Sequence, residues 1–289
     1  MDTILRSRSK TVVIGSGKPF CIIGERINPT GRKVFAQALR DGDLSTAAAD
    51  ALAQVAAGAD MLDVNAGIPL VDEAELLVKL IRLVQDTVDA PICIDSSVVE
   101  ALEAGLSAYE GRALVNSVTA EDDRLEAVLP LVAAHGAAVI GLTNDETGIP
   151  MTADERLRHA RKIVSAAGDY GIEPCDVVID PLAMPVGADT EAVLGTLEAM
   201  RMIRDELGVN MCVGASNVSF GLPDRLVLNA AFLPMAMAAG LTSAIMSTAE
   251  VVVRSTRAAD LLLGHDEWGA SWIAAHRARA AAAQEAGVS

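Results

Sequence analysis

MLDVNAGIPLVDEAELLVKLIRLVQDTVDAPICIDSSVVEALEAGLSAYEGRALVN, Met61 to Asn116, is the stretch that decides the fold. It holds three short apolar runs, Met61–Asn65, Ile92–Asp95 and Ala113–Asn116, each closing on a carboxylate or a carboxamide. A Leu-rich segment with charges at helical spacing, Asp72–Val88, separates the first two. The runs are continuous rather than alternating, the mark of strands covered on both faces in a parallel sheet. Working outward, the same kind of run recurs at Phe20–Gly24, Ala138–Leu142, Val177–Asp180, Asn210–Gly214 and Ser243–Met246. Helical patterns lie between them at Leu44–Ala57, Ala153–Ala167, Thr190–Leu207 and Leu222–Ala239. Eight runs alternating with helices in a chain of 289 residues predict an α/β protein, a single-domain (β/α)8 TIM barrel. At roughly 150 residues per domain the length alone would also admit two domains. An open doubly wound sheet would need a glycine-rich phosphate turn after an early strand. GSGKP (Gly15–Pro19) comes before the first convincing strand and leads into no helix, so it is not that turn. Residues 1–19 are read as an amino-terminal lead-in, 20–265 as the barrel domain, and 266–289 as a last helix and tail.

Composition narrows the function classes. Apolar residues make up 51% of the chain and aromatic ones only 3%, so the core is built from Ala, Val, Leu, Ile and Met, and a disordered chain is excluded. Lys and Arg number 23 against 39 Asp and Glu, a net charge of −16 that argues against nucleic acid and anionic membrane surfaces as partners. The longest apolar stretch, Ala230–Leu241, contains Pro234 and Gly240 and falls short of the 18 or so residues of a membrane span. MDTILRSRSK at the amino terminus has no apolar run of signal-peptide length, and cytoplasmic residence is expected. Cys21, Cys93, Cys175 and Cys212 form no CxxC pair and read as free thiols.

In such a barrel chemistry sits at the carboxyl ends of the strands. Those ends carry Glu25, Arg26 and Asn28; Asp63 and Asn65; Asp95 and Ser96; Asn116; Thr143 and Asn144; Asp180; and Ser216 and Asn217. Each has a structural reading as well: Asp95 and Asp180 as caps or turn residues, Asn116 as a turn former, Asp63 and Asn65 as supports beneath a site. Together they would line one mouth, neutral to negative, with Arg26 the obvious cation, suited to a planar ligand rich in N–H donors. His135 and His159 fall on predicted helices and His265 and His276 beyond the last strand, which points to structural or surface roles. HExxH, paired His ligands and GxSxG do not occur, and no metal site is expected.

GERIN (Gly24–Asn28), GADMLDVNAG (Gly58–Gly67), CIDSS (Cys93–Ser97), LVNSVTAE (Leu114–Glu121), GAAVIGLTNDETGIP (Gly136–Pro150), VVIDPL (Val177–Leu182) and GASNVSFGLP (Gly214–Pro223) carry a family resemblance. In this order they resemble the motif series of the pterin-binding, dihydropteroate synthase-like methyltransferases. These include the methyltetrahydrofolate:corrinoid protein methyltransferases and the folate domain of cobalamin-dependent methionine synthase. The resemblance runs from about residue 20 to residue 250. It implies a TIM barrel, a homodimer, a pterin ring in the mouth, and transfer of a methyl group between N5 of tetrahydrofolate and the cobalt of a corrinoid, in a demethylation or one-carbon pathway. It assigns Asp95, Asn116 and Asp180 to anchoring the pterin and Asn217 to contacting N5 as the catalytic residue, with Glu25, Asn28, Asp63, Asn65 and Ser216 as secondary candidates.

The implied chemistry suits these side chains. A reduced pterin offers a 2-amino group and ring N–H donors that carboxylates accept. No DxHxxG motif of the corrinoid-binding kind occurs, so the corrinoid is expected on a partner protein. Phe220 stands where acetogenic members often carry glutamine, which places SNVSF nearer the methionine-synthase-like and demethylase-associated branches. The alternatives are a dihydropteroate synthase, which would call for a basic motif after the seventh strand where this chain has GASNVSF, and a non-catalytic folate-binding subunit of a corrinoid complex.

Overall fold

The computed structural model describes residues 1–285. Its strands are β1 (Asp2–Arg6), β2 (Thr11–Gly15), β3 (Cys21–Ile27), β4 (Met61–Asn65), β5 (Ile92–Asp95), β6 (Leu114–Thr119), β7 (Ala138–Leu142), β8 (Val177–Asp180), β9 (Asn210–Gly214) and β10 (Ser243–Met246). The helices are α1 (Lys33–Arg40), α2 (Ser45–Ala56), α3 (Glu73–Thr87), α4 (Val99–Ala108), α5 (Asp122–His135), α6 (Ala153–Asp169), α7 (Ala192–Leu207), α8 (Arg225–Ala239), α9 (Glu250–Leu262) and α10 (Ala270–Glu285). β3 to β10 are parallel and close into an eight-stranded barrel in chain order, β10 pairing with β3. The last residues of the expected tail, 286–289, lie outside the described residues. No helix among the described residues is long and apolar enough to cross a membrane.

Alternation along each strand creates two cores. Residues such as Leu62, Val64, Ile92, Ile94, Val115, Val139 and Ile179 point outward under the helices. Their neighbours Met61, Cys93, Leu114, Ala138, Ile140, Val178 and Cys212 point inward and fill the barrel. A period of two therefore carries Asp63 and Asn65, Asp95, Asn116 and Asp180 onto the inward face at its upper end.

Residues 1–19, expected as a plain lead-in, form an antiparallel hairpin, β1 against β2. Leu5, Val12 and Ile14 join the interior cluster and plug the barrel's amino-terminal end. Asn210, buried at the start of β9, ties the plug down, its Nδ2 donating to Thr3 Oγ1 at 2.9 Å and to the Ile14 carbonyl at 2.9 Å. Burying Leu5 and Ile14 completely contributes roughly 1.5–3 kcal/mol each.

β3 runs past the predicted Gly24 to Ile27 through an irregularity in its pairing with β4. Buried Gln54 of α2 sits behind that irregularity and accepts the Arg26 N–H at 2.8 Å. Only glycine fits at 24, where a β-carbon would stand 2.5 Å from Gln54 Oε1.

Candidate active site at the strand ends

Register brings the first cluster together. Asn65 lies opposite Asp95, and Asp95 opposite Asn116, across β4, β5 and β6. One layer below, Asp63 is buried and accepts the Asn116 Nδ2–H at 3.2 Å. Burial and the adjacent Asp95 carboxylate push Asp63 well above the usual carboxylate range, so it stands protonated and donates to Asp95. Asp95 is itself lifted by burial to about 6, with hydrogen bonds from Asn65 and Asp63 favouring its ionised form. Asn116 gives one amide N–H to Asp63, so the carboxamide keeps a second N–H and a carbonyl oxygen with which to bond a ligand. Asn65 also accepts the Gly67 N–H at 2.8 Å, the supporting role that its position suggested.

Asp180 reaches the mouth from β8. Its Oδ1 accepts the Leu182 N–H at 2.7 Å, in a turn that holds Leu182 at φ 63°. Burial raises Asp180 to about 7, against the pull of the Leu182 amide, the Arg156 guanidinium and the Gly214 amide. Arg156, buried on α6, donates to Thr196 Oγ1 at 2.9 Å. Thr143, at the end of β7, donates both its N–H (3.1 Å) and its hydroxyl (3.0 Å) to the Asp180 carbonyl. His159 is buried behind it, Nδ1 lying 2.9 Å from the Thr143 carbonyl and Nε2 3.0 Å from Asp145, a structural place as its helical position implied.

The remaining wall comes from β3 and the turn after β9. Glu25 is raised by burial, with Ser216, Arg225 and Arg26 favouring its ionised form. Ser216 receives Asn229 Nδ2 on its hydroxyl at 3.3 Å. Asn217 lies on the one-turn segment Ala215–Ser219 with its side chain exposed. Asn28 accepts the Thr30 N–H at 2.9 Å and shapes the loop after β3.

Two charged side chains of the wall escaped the sequence reading. Arg225, at the start of α8, donates to the Ser216 carbonyl at 2.7 Å and to Ser219 Oγ at 3.1 Å, so Arg26 is not the mouth's one cation. Glu73, at the start of α3, accepts the Ser96 hydroxyl and adds negative charge beside Asp95. Both belong to helices, and only their place in the first helical turn after a strand end could have pointed to them. The mouth as a whole gathers acceptor oxygens on Asp95, Asn116 and Asp180 at the ends of β5, β6 and β8, and the exposed carboxamide of Asn217 after β9, the neighbour of β8. That array fits one flat heterocycle with several N–H donors on one edge.

Residues 24–247 match the sequence model of the pterin-binding enzymes. The chain is 33% identical over 251 residues to a methylcorrinoid:tetrahydrofolate methyltransferase of Eubacterium limosum, covering 85% of this chain and 92% of that protein. It is also 33% identical over 244 residues to the methionine synthase of Mycobacterium tuberculosis, where it spans 20% of the longer protein. Among solved structures, a dihydropteroate synthase from Xanthomonas albilineans with 7,8-dihydropteroate superposes with a TM-score of 0.73 at 19% identity, over 90% of this chain and 98% of that one. A Yersinia pestis dihydropteroate synthase superposes with a TM-score of 0.67 at 16% identity, over 90% and 98%. These structural likenesses are likenesses of fold.

Proposed function

The chain belongs to the pterin-binding enzymes, and from that membership we propose that it moves a methyl group between N5 of tetrahydrofolate and the cobalt of a corrinoid carried on a separate protein. The observation that carries the reading is the full-length similarity to a named methylcorrinoid:tetrahydrofolate methyltransferase, 92% of which this chain covers. The acceptor array supports it, because the pyrimidine edge of a reduced folate is the matching row of donors.

In this reading Asp95, Asn116 and Asp180 hold the pyrimidine edge, and Asp63, Asn65 and Ser96 keep them aimed. Asn217 faces N5. When the methyl group leaves folate, the cobalt(I) electron pair forms the new cobalt–carbon bond. The carbon–N5 pair stays on nitrogen, and N5 takes a proton from solvent. The Asn217 carboxamide donates through Nδ2 to the recovered lone pair and accepts through Oδ1 once N5 carries its proton. It thus stays bonded while the charge on N5 changes, and that is differential stabilisation of the transition state. The same transition state serves the reverse direction, toward methyltetrahydrofolate. The chain works in this reading as a cytoplasmic homodimer that docks a corrinoid protein, as the family resemblance implies.

The test mixes the protein with methyltetrahydrofolate and a cobalt(I) corrinoid and follows the corrinoid absorbance. Protein-dependent conversion to the methylcobalt form is the expected result. No conversion, with folate bound, would leave a binding subunit, and condensation of 4-aminobenzoate with a pterin diphosphate would make it a synthase.

A further inference from the structure

Arg156 of α6 is a buried cation whose hydrogen-bond partner is neutral, Thr196 Oγ1 at 2.9 Å, and whose Nε has no partner among the described residues. A charge buried in this way loses its hydration and gains no ion pair in return, so it must be answered at longer range. The acid whose charge acts on it is Asp180. Asp180 in turn feels one charged group among the described residues, and that group is Arg156. Its other surroundings are uncharged. Thr143 comes from β7, and the Leu182 amide from the turn beyond β8. β9 adds the Gly214 amide and the Cys212 thiol, which burial keeps protonated.

The same guanidinium reaches Asp180 by a second route, through the backbone. Thr196 accepts from Arg156 and has the Leu182 carbonyl at 3.1 Å and the Ala192 carbonyl at 2.9 Å as targets for its own hydrogen. Leu182, at φ 63°, lies in the left-handed region, which a leucine occupies only where its neighbours hold it there. Its N–H is the donor on Asp180 Oδ1. Three residues along α6 from Arg156, His159 presents Nδ1 to the Thr143 carbonyl at 2.9 Å, and Thr143 donates twice to the Asp180 carbonyl. One face of α6 therefore grips Asp180 on two sides, the backbone by way of His159 and the carboxyl by way of Arg156. We propose that Arg156 is a positioning residue for Asp180, holding its carboxyl aimed through the Thr196–Leu182 turn and available as an ionised acceptor for a ring N–H. The aim and charge of Asp180 belong to the ligand-free protein, and the ring N–H rests on the folate reading.

The titration of Asp180 is followed in the ligand-free protein by carbon NMR of carboxyl-labelled aspartate, its signal identified by its loss in Asp180→Asn. Methyltetrahydrofolate affinity is measured across the same pH range. Arg156→Gln should move the Asp180 midpoint up by about one pH unit, the effect of removing a nearby opposite charge. Affinity should fall about tenfold at about pH 6, with most of the loss recovered by about pH 9.5, where Asp180 is ionised in both proteins. Arg156→Lys keeps the charge and should return the midpoint. A merely structural arginine would lower affinity equally at every pH and leave the midpoint in place, and that result overturns the proposal. Thr196→Val tests the turn, and stands in where Arg156→Gln does not fold. It keeps the charge but releases Leu182, so the amide bond that favours ionised Asp180 loosens, the midpoint rises and affinity falls. Midpoint and affinity both unchanged in Thr196→Val also overturn the proposal. A midpoint that moves in proteins that bind no methyltetrahydrofolate would overturn the folate reading and leave the positioning role standing.

Discussion

Asn217 folds back over Gly214 so closely that a β-carbon at 214 would stand 2.9 Å from Asn217 Nδ2. The last residue of β9 must therefore be bare for the carboxamide to hold its present direction. Gly214→Ala leaves every side chain of the mouth in the sequence but displaces Asn217. Methyl transfer should fall by about tenfold or more, while folate affinity changes little, because misplacement at the reacting atom costs rate before it costs binding. Single-turnover transfer and equilibrium binding on the purified variant check this; a rate equal to wild type would mean that the carboxamide's present pose is not the working one.

Asp63 separates a neutral support from a charged one. As a protonated acid it accepts from Asn116 and donates to Asp95, and an asparagine can do both. Asp63→Asn should keep folate affinity close to wild type, whereas Asp63→Leu, which strands Asn116 and Asp95, should lower it about tenfold, in keeping with 1–3 kcal/mol for buried groups left unsatisfied. Loss of affinity in both variants would show that position 63 works as a carboxylate.

Much of this was legible in the sequence, for identifiable reasons. A barrel strand covered on both faces must be apolar throughout, so Ile92–Asp95 and Val177–Asp180 announce themselves, and the polar residue that ends each run is the one the barrel exposes. The hairpin of Asp2–Arg6 and Thr11–Gly15 was hidden because half its side chains face solvent and its turn, SRSK, is charged. Arg225 and Glu73 were hidden for a different reason. Their place at the site depends on where a helix starts after its loop, and hydrophobic periodicity locates such boundaries only to within a few residues.

Asn210 offers a stability test remote from the chemistry. Asn210→Ala removes both donors from Thr3 Oγ1 and the Ile14 carbonyl at the plugged end of the barrel. Unfolding free energy should drop by about 2–4 kcal/mol, from two lost hydrogen bonds and a buried carbonyl left without its partner. Denaturant melts measure the drop. Methyl transfer below the melting range should be unchanged, and a large kinetic effect would mean that the plug communicates with the mouth.

The raised carboxyls set the sign of the pH dependence. Asp180 stands at about 7 in the folded protein against an ordinary 3.8, so the folded state holds that proton more tightly than the unfolded chain. The resulting stabilisation is complete below about pH 4 and is lost as pH rises toward 7, an effect on the order of 2–4 kcal/mol. Ligand-free protein should become less stable between pH 5 and about 7.5. Asp180→Asn should flatten that slope without abolishing it, since Asp95 and Asp63 are raised as well. Folate affinity should run the other way, increasing over the same window as Asp180 becomes the acceptor a ring N–H needs. Melting temperatures and binding isotherms across the range test both arms; a slope that Asp180→Asn leaves untouched would place the titration elsewhere.

Asn217 itself decides between an enzyme and a binding subunit. If its bond to N5 strengthens as the carbon–nitrogen bond breaks, Asn217→Ala should lower the transfer rate by about 10²–10³, the usual loss for one donor in a preorganised site. Its contribution to holding the ground state should be nearer the 1 kcal/mol of an ordinary hydrogen bond, a change of about fivefold in affinity. The side chain is exposed and its removal opens no cavity, so folding should not confound the comparison. Single-turnover transfer to a cobalt(I) corrinoid is run beside folate binding for the two proteins. A rate loss far larger than the affinity loss makes the carboxamide catalytic, equal losses reduce it to a ligand contact, and an unchanged rate removes it from the reaction.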